Sequence, residues 1–160
     1  MTPETRGELL MTYAQGPSVL KAALERYPRE SWEFRPGTGQ WSIQDIVFHV
    51  AEAELHGYLR ARTAIAEPGA AIQSFDQDLW AGSLDSAAQP MDEAVELFRL
   101  LREMLARQLR ALPEAAWQRD FMHPERGRIT LEGWLENYVG HLDVHLRQME
   151  RTHRAFCALS

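Results

Sequence analysis

The sequence predicts an all-α protein, a four-helix bundle with a long connection between its second and third helices. Three observations carry this. Apolar residues recur at helical spacing in four long segments. Strand-type alternation is nearly absent along the 160 residues. A stretch rich in Gly, Ala, Ser and Pro, residues 67–90, separates the second segment from the third. Four amphipathic helices close one core, and one long crossover among short loops is a known bundle connectivity.

The first helix is expected from about Glu4 to Tyr27. Thr2 suits the N-cap and Pro3 the first helical position, with Leu9, Leu10, Tyr13, Leu20, Leu24 and Tyr27 as the core face. Gly16-Pro17 predicts a kink or short break, because proline lacks the backbone donor and clashes with the preceding turn. The second helix opens with Ser42 as N-cap, Asp45 at N3 as a capping-box variant, and Trp41 and Ile46 as a hydrophobic staple. It carries Ile43, Ile46, Val47, Val50 and Ala53 inward and ends near Ala66, before Pro68-Gly69. Within the long connection, Phe75 to Trp80 is expected to form a short helical turn on the bundle. Connections of this length are usually lids or crossovers.

The third helix runs from about Met91 to Leu112, with Val95, Phe98, Leu101, Leu105, Leu109 and Leu112 facing inward. Acids near its start and arginines near its end suit the macrodipole, and Pro113 stops it. In the following linker, Pro124 and Gly127 mark a turn or small hairpin. Thr130 caps the fourth helix, which is expected to end near Thr152 and leave a frayed tail.

The bulk numbers exclude several classes. The chain, 45% hydrophobic and 25% charged, fits one domain, taken as residues 1–160. Its net charge of -6, with arginines scattered along polar faces and Lys21 the only lysine, argues against nucleic acid as a partner. No apolar run approaches the ~20 residues of a membrane span, and the first residues hold no signal-type segment. The single Cys157 excludes an intramolecular disulfide. A cytoplasmic location is expected.

The chemistry is concentrated in histidines. His141 and His145 stand four residues apart inside the apolar stripe of Leu131, Trp134, Leu135, Tyr138, Leu142 and Met149, so both rings leave the buried face. His49 lies on the apolar stripe of the second helix, between Ile46 and Val50. Three inward imidazoles from two helices can close a three-nitrogen site for a divalent metal ion. Such a site leaves a coordination position open, as catalytic sites do. The competing reading is three core histidines, each hydrogen-bonded to a neighbour, since buried polar rings need partners. His56 is the best substitute ligand; His123 reads as a turn or rim residue and His153 as solvated. Glu52, one turn after His49, and Gln148, after His145, could accept the second ring N–H. Asp143 reads as a surface acid. Glu52 and Asp76 are the candidate catalytic bases, with a solvated loop or helix cap as the alternative for Asp76. Phe75 and Trp80 read as packing residues.

Three stretches resemble the DinB/YfiT-like superfamily of small bacterial metal-binding four-helix bundles. They are GQWSIQDIVFHVAEAE, MDEAVELFRLLRE, and HPERGRITLEGWLENYVGHLDVHLRQM with its HxxxHxxQ. The resemblance implies that His49, His141 and His145 are metal ligands, with zinc or nickel the usual ions. It implies an enzyme that uses a low-molecular-weight thiol, such as an S-transferase, or alternatively a metal-dependent hydrolase. A third option is a non-catalytic metal-binding stress protein. Many members of that superfamily are dimers, so a homodimer is admitted as a partner arrangement alongside a small-molecule thiol or other small substrate. Glu52 stands where relatives often carry Asp, a departure that leaves the ligands intact.

Overall fold

The computed structural model describes residues 1–159. Helices α1 (Pro3–Leu24), α2 (Ile43–Ala66), α4 (Met91–Arg110) and α5 (Leu131–Cys157) form the bundle. The short α3 (Gln77–Ser83) lies in the long connection. Strands β1 (Asp120–His123) and β2 (Gly127–Thr130) make one antiparallel hairpin before α5. Both α1 and α2 pack against α4 and α5. Helices α1 and α2 therefore sit diagonally across the bundle, as do α4 and α5.

The expected caps form. Ser42 Oγ accepts from the Asp45 backbone N–H at 3.0 Å, and the Asp45 carboxylate accepts from the Ser42 N–H at 2.9 Å. Thr2 and Thr130 cap α1 and α5 through their hydroxyls. The hairpin is tightened by Gly127, whose φ of 69° is cheap only for glycine. The chain leaving α2 runs beside β1: Ile72 N–H donates to the Met122 carbonyl and Met122 N–H to that of Ala70. This anchors the start of the long connection and sets where Phe75 falls. The connection then turns into α3, at Gln77–Ser83 rather than Phe75 to Trp80, because the Asp76 carboxylate caps it by accepting from the Asp78 and Leu79 N–H groups.

Two further expectations are corrected. Gly16-Pro17 does not break α1, which is helical throughout from Pro3 to Leu24. Proline at 17 removes the donor that the Tyr13 carbonyl would otherwise receive. Arg102 supplies one instead, its Nη1 donating to that carbonyl at 3.3 Å. Gly16 makes room for it: a Cβ there would stand 2.2 Å from Arg102 Nη1. The Gly-Pro pair is a socket for a guanidinium. The tail is the second correction. Helix α5 continues five residues past Thr152 to Cys157, because His153 packs on Tyr27 and Phe156 on Phe34, with ring centroids 4.8 and 5.5 Å apart. His153 is therefore half-buried rather than solvated.

The core divides into two clusters. One gathers Leu20, Ile43, Ile46, Val47, Phe98 and Met149; the other Tyr13, Leu105, Leu109, Trp134 and Leu135. Arg102 and Glu54, 1% and 2% exposed at the side chain, form an ion pair of 2.8 Å inside the bundle. Tyr13 donates its hydroxyl to Glu54, and Arg102 Nη2 donates to the Tyr138 carbonyl at 2.9 Å. One network thus joins all four long helices. It leaves few lone pairs or protons unused, the condition for a buried ion pair to be tolerated.

Candidate metal centre

Helix α2 presents His49 and helix α5 presents His141 and His145 to one another. Each offers Nε2, and the three nitrogens lie within 4.8 Å of one another. His141 Nε2 stands 3.2 Å from that of His49 and 3.1 Å from that of His145. His49 and His145 are buried and His141 is half-buried. Among the described residues, no other group of His, Cys, Asp or Glu has this geometry.

The spacing decides between the two readings of the histidines. An imidazole nitrogen carries either one proton or one in-plane lone pair, so His141 Nε2 can satisfy only one of its two neighbours by hydrogen bonding. Around a single ion the conflict vanishes. With metal–nitrogen bonds of about 2.0–2.1 Å, a tetrahedral site sets its nitrogens roughly 3.3 Å apart, close to the separations present. The tautomer also fits. Gln148 Oε1 can only accept, so His145 Nδ1 donates to it at 2.9 Å and leaves a bare lone pair on Nε2. The residues present therefore suit a divalent ion.

Electrostatics favours the ligating form. Burial pulls His49 down to about 4, helped by its neighbour His145. Burial, then His145, His49 and Arg102, pulls His141 down to about 3. His145 is lowered by burial, against a raising contribution from Gln148. Near neutral pH the cluster is three neutral imidazoles.

Aromatic rings wall the cluster. Trp41, expected only as a staple, lies 4.8 Å from the His49 ring and 6.2 Å from that of His145. Phe75, read from sequence as packing, stacks on His56 at 4.1 Å and reaches His49 at 6.3 Å. His56 is thereby occupied as a platform rather than a ligand. His123 is buried at the end of β1, its Nδ1 accepting the Glu125 N–H at 3.2 Å. Asp143 is exposed and paired with Arg147, a surface acid.

Of the two candidate bases, neither joins the nitrogen group. Glu52 is half-buried beside His49 on the wall of one cavity, and burial raises its pKa. Among the described residues it makes no hydrogen bond to His49. Asp76 is exposed, and its carboxylate is spent capping α3. Sequence reading missed Arg102 and Glu54, because a charged residue on a helix face signals solvent unless its partner is known.

Fold and site together define a helical bundle with a three-histidine cluster suited to a metal ion, and comparison with known proteins gives its family. The sequence model of the DinB superfamily matches residues 12–149, and the chain belongs to that superfamily. It is 25% identical over 155 residues to a Bacillus subtilis protein described as "putative metal-dependent hydrolase YfiT", covering 96% of this chain and 87% of that one. A Bacillus licheniformis protein described as a metal-dependent hydrolase in the same terms is 26% identical over 143 residues, covering 84% and 81%. The solved structure of Bacillus subtilis YfiT, described as a probable metal-dependent hydrolase with an unusual four-helix bundle topology, superposes with a TM-score of 0.90 over 98% of this chain and 90% of that one. The diagonal placement of α1 and α2 is thus shared architecture.

Proposed function

We propose that this protein is a metal-dependent enzyme whose ligands are His49, His141 and His145, and that it transfers a low-molecular-weight thiol to an electrophilic substrate. The observation that carries the reading is the convergence of three neutral Nε2 atoms that hydrogen bonding alone cannot reconcile. When bound, a divalent ion with an open position draws the proton of an incoming thiol or water toward release near neutral pH; zinc and nickel are the candidates.

The chain's own residues have separate tasks. Gln148 holds the His145 ring in the donor-ready tautomer. Trp41 and Phe75 screen the imidazoles from bulk water. Glu52, unpaired and with its pKa raised by burial, is placed to take up a proton beside His49. In the reaction a sulfur–carbon bond forms, the bond from that carbon to its leaving group breaks, and the leaving group departs with the electron pair. The protein brings no cysteine to the site, since Cys157 is exposed at the end of α5; this suits a thiol supplied as cosubstrate.

The second reading is hydrolysis of an ester or amide with Glu52 as general base. The descriptions of the Bacillus relatives favour it. A thiol-consumption assay with a panel of electrophiles, run beside an ester panel on zinc- and nickel-loaded protein, separates the two. Thiol loss that requires all three histidines supports transfer. Ester turnover without thiol overturns transfer in favour of hydrolysis.

A further inference from the structure

Helices α1 and α4 enclose a groove of about 760 Å³ at the corner of the bundle opposite α2 and α5, which carry the histidines. The volume falls within the roughly 300–1,000 Å³ of small-molecule sites. No residue on its wall lines either of the cavities that reach His49 and His145. The floor is apolar: Leu24 and Met91, each 7% exposed, with Pro17, Val95 and Trp32. Trp32 is half-buried and contributes only its ring, because its indole N–H is spent on the Tyr27 carbonyl at 3.2 Å. Six charged groups border the groove, and their pairing is uneven. Arg99 holds both Glu96 and Glu103, at 2.6 and 2.7 Å. Asp92 stands in the first turn of α4, where the helix dipole offsets its charge. Lys21 and Arg29 are exposed and, among the described residues, have no ion-pair partner. Arg29 lies over the Trp32 ring, 5.3 Å from its centroid, a contact that uses the guanidinium face and leaves its N–H edge free.

We infer that this groove is a second ligand site, for a single-chain amphiphile with one anionic head: the chain lies on the apolar floor and the head meets Lys21 and Arg29. Each half of the groove selects one half of that ligand. The floor of Leu24, Met91, Val95 and Trp32 gains from any apolar body that displaces water from it. The two cations without carboxylate partners select a body that ends in negative charge. The Arg29 fork matches a carboxylate or a phosphate in two bonds, and the Lys21 ammonium adds a point charge. A small hydrophilic anion would leave the floor wet, and a neutral chain would leave both cations unmatched. A cationic ligand would meet Lys21 and Arg29 with only Asp92 free to hold it, since Arg99 occupies the other two acids. Binding here requires neither the metal nor a thiol.

The test uses the full chain loaded with zinc and four probes: octanoate, octyl phosphate, 1-octanol and butyrate. Lys21 is the only lysine, so reductive methylation with carbon-13, which keeps its charge, places a single dimethyl-lysine signal at the groove, apart from that of the N-terminal amine. Octanoate or octyl phosphate is expected to shift this signal saturably at 1:1 stoichiometry, and the tighter of the two identifies the head group. In calorimetry 1-octanol is expected to bind about tenfold more weakly or worse, for want of a charge-assisted hydrogen bond. Butyrate, four methylenes shorter, should also be weaker by about tenfold or more. Lys21→Glu and Arg29→Glu, both at exposed positions, should each weaken the anion by about tenfold and leave 1-octanol unchanged; melting temperatures equal to the parent's show that both fold. His141→Ala should leave octanoate binding unchanged. No saturable shift with either anion, 1-octanol as tight as octanoate, or anion binding indifferent to both charge reversals overturns the site. Loss of octanoate binding in His141→Ala also overturns it, because the anion would then be held at the histidines.

Discussion

Replacing Arg102 with methionine removes the centre of the network that joins the four long helices. The structure sets the size of the effect. Arg102 pairs with Glu54 at 2.8 Å, donates to the carbonyls of Tyr13 and Tyr138, and lies over the rings of Tyr13 and Phe98 at 4.4 and 4.5 Å. Deleting one partner of a buried pair leaves the other charge uncompensated and costs about 3–5 kcal/mol. For a domain of this size each kcal/mol lowers Tm by about 2–4 °C, so Arg102→Met should lower it by roughly 6–20 °C. Removing the whole pair is a different case, because two apolar side chains of similar volume need no partners. Glu54→Leu combined with Arg102→Met should recover about half of the loss, roughly 2 kcal/mol. The assay is urea unfolding of the two single variants and the double variant, beside thermal melts of the same proteins. The Tyr138 carbonyl lies one turn before Leu142 on α5, so Arg102→Met should also loosen the register that sets His141 against His49. Metal affinity should fall with stability. A single-variant loss below about 1 kcal/mol, or a double variant no better than the sum of its parts, would refute the argument.

Three further outcomes follow from the same geometry. His141→Ala should abolish stoichiometric metal uptake and the metal-dependent rise in Tm, while Gln148→Ala, which frees the His145 ring, should weaken uptake by about 10–100-fold; metal analysis after gel filtration reads both. The metal-free protein should lose stability as pH falls. His49 and His141 titrate at about 4 and about 3 when folded, against an ordinary value of 6.5. Between those values the unfolded chain holds more protons, so stability is complete above about pH 6.5 and drains away toward pH 3–4; urea midpoints between pH 8 and 4 should show a slope that His49→Asn flattens. Gly57→Ala should destabilise despite the helix propensity of alanine, worth about 1 kcal/mol, because the new Cβ would stand 2.2 Å from the Tyr138 ring; a melting temperature equal to or above that of the parent protein would contradict the close approach.

The contrast between what the sequence disclosed and what it hid has a physical basis. Caps, helix faces and the His141/His145 pair depend on neighbours within a turn or two, and local spacing reports them. Ser42 with Asp45, Thr130, and the inward face of α4 were legible for that reason. His49 was legible as an inward ring, but its meeting with His141 is a contact across 92 positions; periodicity offered a shared site beside a core-histidine alternative, and the family resemblance favoured the shared site.

Gly16-Pro17 shows most clearly where local reasoning fails. Read alone, the pair predicts a break, because a carbonyl loses its donor and the backbone becomes loose. In the fold the orphaned carbonyl and the missing side chain are both uses of the site: the first accepts from Arg102 and the second leaves space for it. The argument runs in both directions. Arg102 could not be buried without acceptors beyond Glu54, and α1 could not stay continuous at Pro17 without a foreign donor. Each defect is relieved by the other. Gly16→Ala therefore tests the pairing from the opposite side to Arg102→Met: a more helix-prone residue in α1 should destabilise the bundle, and should do so much less once Arg102 has become methionine.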